Sequence, residues 1–115
     1  MEEIRLTRDA DALICVLYKS YLEQRKAGIP KAQAKYFDGS EYIHSKLMTK
    51  WSMDDVDETC RELSRSGLLH CGYGDDVVCE AALSDDAIIY MENRFKDGLA
   101  SLLGHIKSLF ELIPW

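Results

Sequence analysis

The chain has 115 residues, 47% apolar and 30% charged, with 20 Asp and Glu against 14 Lys and Arg. That composition belongs to a folded domain rather than a disordered segment. The formal charge of −6 argues against a general nucleic-acid coat or an anionic-membrane binder, both of which need a net positive surface. One domain over residues 1–115 is expected. The opening Met1-Glu2-Glu3-Ile4-Arg5 lacks the basic and then apolar layout of a secretory signal. No run reaches the roughly 18 apolar residues of a membrane span, since the most apolar window, Leu99 to Trp115, is broken by His105, Lys107 and Glu111. A cytoplasmic protein without membrane attachment is expected.

The first element runs from about Asp9 to Ala27. Ala10, Leu13, Ile14, Leu17, Tyr18, Tyr21 and Leu22 recur at helical spacing, with Lys19, Glu23 and Lys26 on the polar side. Thr7 or Asp9 can cap its start, and Gly28 stands where a left-handed terminating residue belongs. Pro30 then suits the first position of a short helical turn through Lys35. Asp38-Gly39-Ser40 offers two possible caps for a short second helix from Glu41 to Met48.

Ser52 opens a third helix with a near capping box, Asp55 replacing the usual Glu. Met53, Val56, Cys60 and Leu63 form its apolar stripe, and Ser66-Gly67 ends it. The period then changes to that of strands. Residues 68–71 and 77–81 flank a tip, Gly72-Tyr73-Gly74-Asp75-Asp76, and read as a β-hairpin. Ser84 can cap a further helix carrying Ala87, Ile88, Met91 and Phe95. Gly98 breaks it, and a last helix runs from Leu99 to Ile113, where Pro114 stops it.

Helix, short helix, capped helix and hairpin is the order of a winged helix-turn-helix domain, an α+β fold. Leu63-Ser64-Arg65-Ser66-Gly67-Leu68-Leu69 resembles the "L-x-x-x-G-L-I" exit from the third helix into the wing. Leu83-Ser84-Asp85-Asp86-Ala87-Ile88-Ile89-Tyr90-Met91 is similar to the "L-T-x-x-G-x-x-Y-L" run that follows the wing in many bacterial members, with Ala87 in place of Gly. Over roughly residues 6–113 the chain looks most like the small, phage-associated YjcQ-like group of Gram-positive bacteria. The resemblance implies a three-helix core with a hairpin wing over about 6–83, two C-terminal helices over about 84–113, and a prophage or mobile-element setting. It implies no activity and carries over no functional residues.

A winged helix that reads DNA lays its third helix in the major groove. Here that surface carries Asp54, Asp55, Asp57 and Glu58, and residues 51–92 hold 11 acidic and two basic residues, a net of −9. Such a face opposes phosphate, where six or more contacts are usual. The expectation is therefore a non-enzymatic regulatory or adaptor module that meets a protein partner through Asp54, Asp55, Glu58, Arg61, Glu62, Arg65, Tyr73, Asp75 and Asp76. A DNA-binding regulator is the alternative that fold analogy alone favours.

From Lys19 to Lys50 seven basic residues face three acidic ones, a net of +4, so Lys31, Lys35, Lys46 and Lys50 are the candidate phosphate contacts. Exposed charges more often serve solubility. Tyr36, Phe37 and Trp51, nearby, are expected to fill the core or cover the first helix.

Four cysteines, Cys15, Cys60, Cys71 and Cys79, form no CxxC pair and are expected to be free thiols, with Cys15 and Cys60 buried. Cys71 and Cys79 face each other across the hairpin if its loop length allows. No metal or cofactor is expected, because His70 and Cys71 are strand neighbours pointing to opposite faces. No thiol sits in an activating motif, and the acid pairs lie at caps and a turn, where acids serve structure. In the last helix Leu99, Leu102, Leu103, Ile106, Leu109, Phe110 and Ile113 form a stripe, extended by Leu112 and wider than one face of a small domain covers. A homodimer through this helix is expected.

Overall fold

The computed structural model describes residues 3–112; Ile113, and with it the end of the expected stripe, lies outside them. The described residues form six helices and one antiparallel hairpin: α1 (Arg8–Lys26), α2 (Lys31–Ala34), α3 (Ser40–Lys46), α4 (Met53–Arg65), β1 (Leu69–Gly74), β2 (Val77–Leu83), α5 (Asp85–Arg94) and α6 (Leu99–Leu112). This α+β order is compatible with a winged helix, α4 taking the place of the expected third helix. No helix among the described residues is long and apolar enough to cross a membrane.

Three helix starts obey local chemistry. Thr7, Ser52 and Ser84 each accept the backbone N–H three residues on, at 3.2, 3.1 and 3.0 Å. The start of α3 does not. Gly39 is its N-cap, neither Asp38 nor Ser40 caps it, and Ser40 is wholly buried. Gly39 also lies hard against β2: an added Cβ would stand 2.5 Å from the Val78 carbonyl oxygen. Only a residue without a side chain lets α3 pack there.

α1 is the central element. Leu13, Ile14 and Leu17 are fully buried, each contributing about 1.5–3 kcal/mol by leaving water. α2, α4, α5 and α6 all pack on it, while α3 and the hairpin pack against α4. Phe37 and Trp51 enter the core as expected, whereas Tyr36 stays 41% exposed. The reason is a β-bridge between Tyr36 and Ala82, flanked by hydrogen bonds from Phe37 N–H to the Ala81 carbonyl and from Leu83 N–H to the Lys35 carbonyl. The segment before α3 is thereby laid along β2.

The hairpin is longer and its turn tighter than the turn-rich sequence suggested. Gly72, Tyr73 and Gly74 belong to β1, and the turn is Asp75-Asp76 alone, at φ 52° and 64°. Two successive left-handed residues match the right-handed twist of a hairpin, and Asp tolerates that region better than most side chains. A bulge shifts the register: Gly72 faces Glu80 and Tyr73 faces Val78. Cys79 is the extra residue, and Cys71 faces Ala81 instead of Cys79.

Candidate functional site

The face formed by α4 and the hairpin holds the residues expected to meet a partner. Asp54, Asp55 and Glu58 are exposed on α4, and Tyr73, Asp75 and Asp76 on the hairpin. Both basic residues of α4 are engaged within the chain. Arg65 reaches Glu58 at 3.1 Å. Arg61 donates to Asp57 Oδ2 at 2.8 Å and to the Asp76 carbonyl at 2.6 Å, and its guanidinium lies 5.0 Å from the Tyr73 ring centre. It ties the hairpin to α4.

Glu62 is removed from this face. Its carboxylate accepts from Thr7 N–H at 3.1 Å and from the Thr7 hydroxyl at 2.8 Å, fastening α4 to the start of α1.

Asp57, assigned by sequence to the acidic surface, is the residue on which this region closes. Its side chain is only 14% exposed. It accepts from Ser40 Oγ, from Val78 N–H and from Arg61 Nε, each at 2.8 Å. Burial raises its pKa, but the Val78, Arg61 and Ser40 donors outweigh that, so Asp57 ionises below the ordinary carboxylate value. One carboxylate joins α3, α4 and β2. The only local signal for it was Arg61 four residues on.

A second, part-buried cluster, unforeseen from sequence, joins α1, α5 and α6. Asp11 accepts from both terminal nitrogens of Arg94, one of them at 2.9 Å. His105 Nε2 stands 3.0 Å from Asp11 Oδ2 and 2.7 Å from Arg94 Nη2. Arg94 also lies over the rings of Phe95 and Tyr90, at 5.0 and 5.9 Å. Burial again pushes the Asp11 carboxyl up, and hydrogen bonds and charge from Arg94 and His105 bring it below its usual value. Arg94 is held protonated, chiefly by its bond to Asp11.

Cys15 adjoins this cluster. Among the described residues, Asp11, Cys15 and His105 are the group whose ligand atoms lie within 4.8 Å of one another, a carboxylate–thiol–imidazole set suited to zinc in kind. The residues present do not fit a metal. The Arg94 guanidinium already holds both Asp11 oxygens and contacts the same His105 nitrogen, so an internal cation stands where an ion would. Cys15 and Cys60 are buried, as expected. Burial raises both thiol pKa values, that of Cys60 to about 12, which keeps them protonated and unreactive.

The candidate phosphate contacts separate. Lys31, Lys46 and Lys50 are exposed, while Lys35 is paired with Asp85 at 3.0 Å. Lys46 faces a groove beside α6 rather than α2. The C-terminal stripe is divided as well. Leu102, Ile106 and Leu109 are buried in the chain's own core, Phe110 is half-buried, and Leu99 and Leu103 remain exposed. α6 packs on α1 with these first three residues inside, which leaves a narrower ridge for any partner than the periodicity implied. No protein-family model, curated protein or solved structure matches the chain.

Proposed function

We propose that the chain is a winged-helix domain of the YjcQ-like kind, a non-enzymatic regulatory or adaptor module that docks a basic surface of another protein through α4 and the hairpin. One observation carries this reading. The two arginines of α4 are each bound to a carboxylate of the same helix, while Asp54, Asp55, Asp75 and Asp76 point to solvent. Phosphate would meet fixed negative charge there, with its natural donors already engaged. A Lys- or Arg-rich protein surface meets the complementary field.

The test is fluorescence anisotropy with a labelled Lys/Arg-rich peptide and, separately, a short random duplex. The peptide should bind, and Asp54→Lys plus Glu58→Lys should weaken it at least about tenfold (about 1.4 kcal/mol). A matched reversal at the exposed Glu92 and Asp97 should not. Duplex binding at about 150 mM salt should be weaker than the roughly 10⁻⁴–10⁻⁶ M usual for nonspecific association. Tight, salt-sensitive duplex binding lost on Arg61→Ala plus Arg65→Ala would restore the DNA-regulator alternative. Loss on Lys31→Ala plus Lys35→Ala would move the contact to the basic segment.

A further inference from the structure

α6 keeps an apolar ridge outside the core. Leu99 and Leu103 are 37% and 40% exposed, and beside them Gly104 is exposed with open space where a side chain would stand. Next to the ridge a groove of about 630 Å³ runs between α1, the end of α3 and α6. Val16, Leu47, Leu103, Ile106 and Phe110 supply its apolar lining. Its charged lining is nearly balanced: Lys19, Lys46 and Lys107 against Glu23 and Glu111, with Lys19 and Glu23 paired at 3.2 Å.

We propose that a second copy of this chain covers the groove, in a twofold homodimer that seats the α6 ridge of each copy in the groove of the other. The charges select this occupant. Two copies of charge −6 repel through their acid-rich α4 and hairpin faces, but the groove carries both signs and meets its own twofold image without that cost. Lys46 and Lys107 of one copy answer Glu23 and Glu111 of the other. A helix with a polar face of one sign would satisfy one set and oppose the other. Ridge beside groove, on one surface, is the self-complementarity that an isologous contact requires. This inference goes beyond the α4 reading and stands or falls apart from it.

Sedimentation equilibrium on the whole chain tests it. Wild type should be dimeric at about 50 μM, above the micromolar range of weak dimers. Leu103→Glu, which alters no fully buried side chain, should raise the dissociation constant at least about tenfold while circular dichroism stays unchanged. Lys46→Glu plus Lys107→Glu in one variant, and Glu23→Lys plus Glu111→Lys in another, should each give monomers alone and a one-to-one dimer when mixed. A monomeric wild type at that concentration overturns the proposal. So does a dimer indifferent to Leu103→Glu and to both charge variants, or a mixture of the two that stays monomeric.

Discussion

Asp57 and Asp11 solve the same problem in different ways. Each is a half-buried carboxylate with an arginine partner, and each holds three elements together. Asp57 draws on three kinds of donor: a backbone N–H, a hydroxyl and a guanidinium. Asp11 rests on the side chains of Arg94 and His105, which the chain brings from 83 and 94 positions away. The first site is anchored partly in the main chain, where partners cannot rotate out. The second depends on two side chains from distant helices and on the charge of Arg94. The hairpin should therefore tolerate loss of Arg61, and the C-terminal helices should not tolerate loss of Arg94.

The largest effect that sharpens this contrast is expected from Asp57→Ala. It leaves the N–H of Val78, a residue 1% exposed, and the Ser40 hydroxyl without their acceptor, although Ser40 keeps a weaker bond to the Val78 carbonyl at 3.2 Å. An orphaned buried donor costs about 1–3 kcal/mol, and bonds to a charged group about 1.5–3 kcal/mol each. A loss of about 3 kcal/mol in urea unfolding is expected, with faster amide exchange confined first to β2. Asp11→Ala should cost less, about 2 kcal/mol, because the Arg94 side chain is 25% exposed and can turn toward water. Equal losses from the two would erase the distinction.

The arginines should rank the other way. Arg61→Ala leaves Asp57 two of its three donors and should cost the least of these changes, as a partly exposed pair does. Arg94→Ala leaves Asp11 with His105 alone and removes the guanidinium from the Tyr90 and Phe95 rings. About 1.5–2 kcal/mol should be lost, with exchange rising first in α6. If Arg61→Ala proves the costlier change, the backbone anchoring of Asp57 does not matter as argued.

How much of this could be read from sequence follows from the range of each interaction. The caps at Thr7, Ser52 and Ser84 were legible because each hydroxyl serves an amide three residues on. The apolar stripes of α1 and α4 were legible because helical periodicity is local. The cap of α3 was misread because Ser40 is drawn inward to Asp57, a demand set 17 positions away. The hairpin tip was read too wide, since Gly72 and Gly74 look like turn residues while a bulge absorbs the odd residue in the strands. Asp57 and Asp11 were hidden by their setting. One sits in an acid-rich helix and the other in an amphipathic one, and in both places a carboxylate normally faces water. Nothing near Asp11 announces Arg94 or His105. The α6 spacing is helical, but periodicity alone does not say that packing divides the stripe between core and surface.

The smallest expected effect is the acid limb of stability, and it separates the two carboxylates most finely. Both ionise below their ordinary value in the folded chain. A depressed folded pKa adds stability that is fully present above the unfolded value, about 3.9 for Asp, and is lost as pH falls through the folded one. Unfolding free energy should thus decline as pH drops below about 4. Asp57→Asn and Asp11→Asn should each flatten that decline. The arginine variants then divide them. Without Arg94, Asp11 loses the donor and the charge that most offset its burial, so Arg94→Ala should flatten the acid limb nearly as much as Asp11→Asn. Without Arg61, the Val78 N–H and the Ser40 hydroxyl still hold the Asp57 carboxyl down, and most of the slope should survive. Urea midpoints measured from pH 5 down to about pH 3 decide it. An Arg61→Ala limb as flat as that of Asp57→Asn would mean that charge, not the backbone donor, keeps Asp57 ionised.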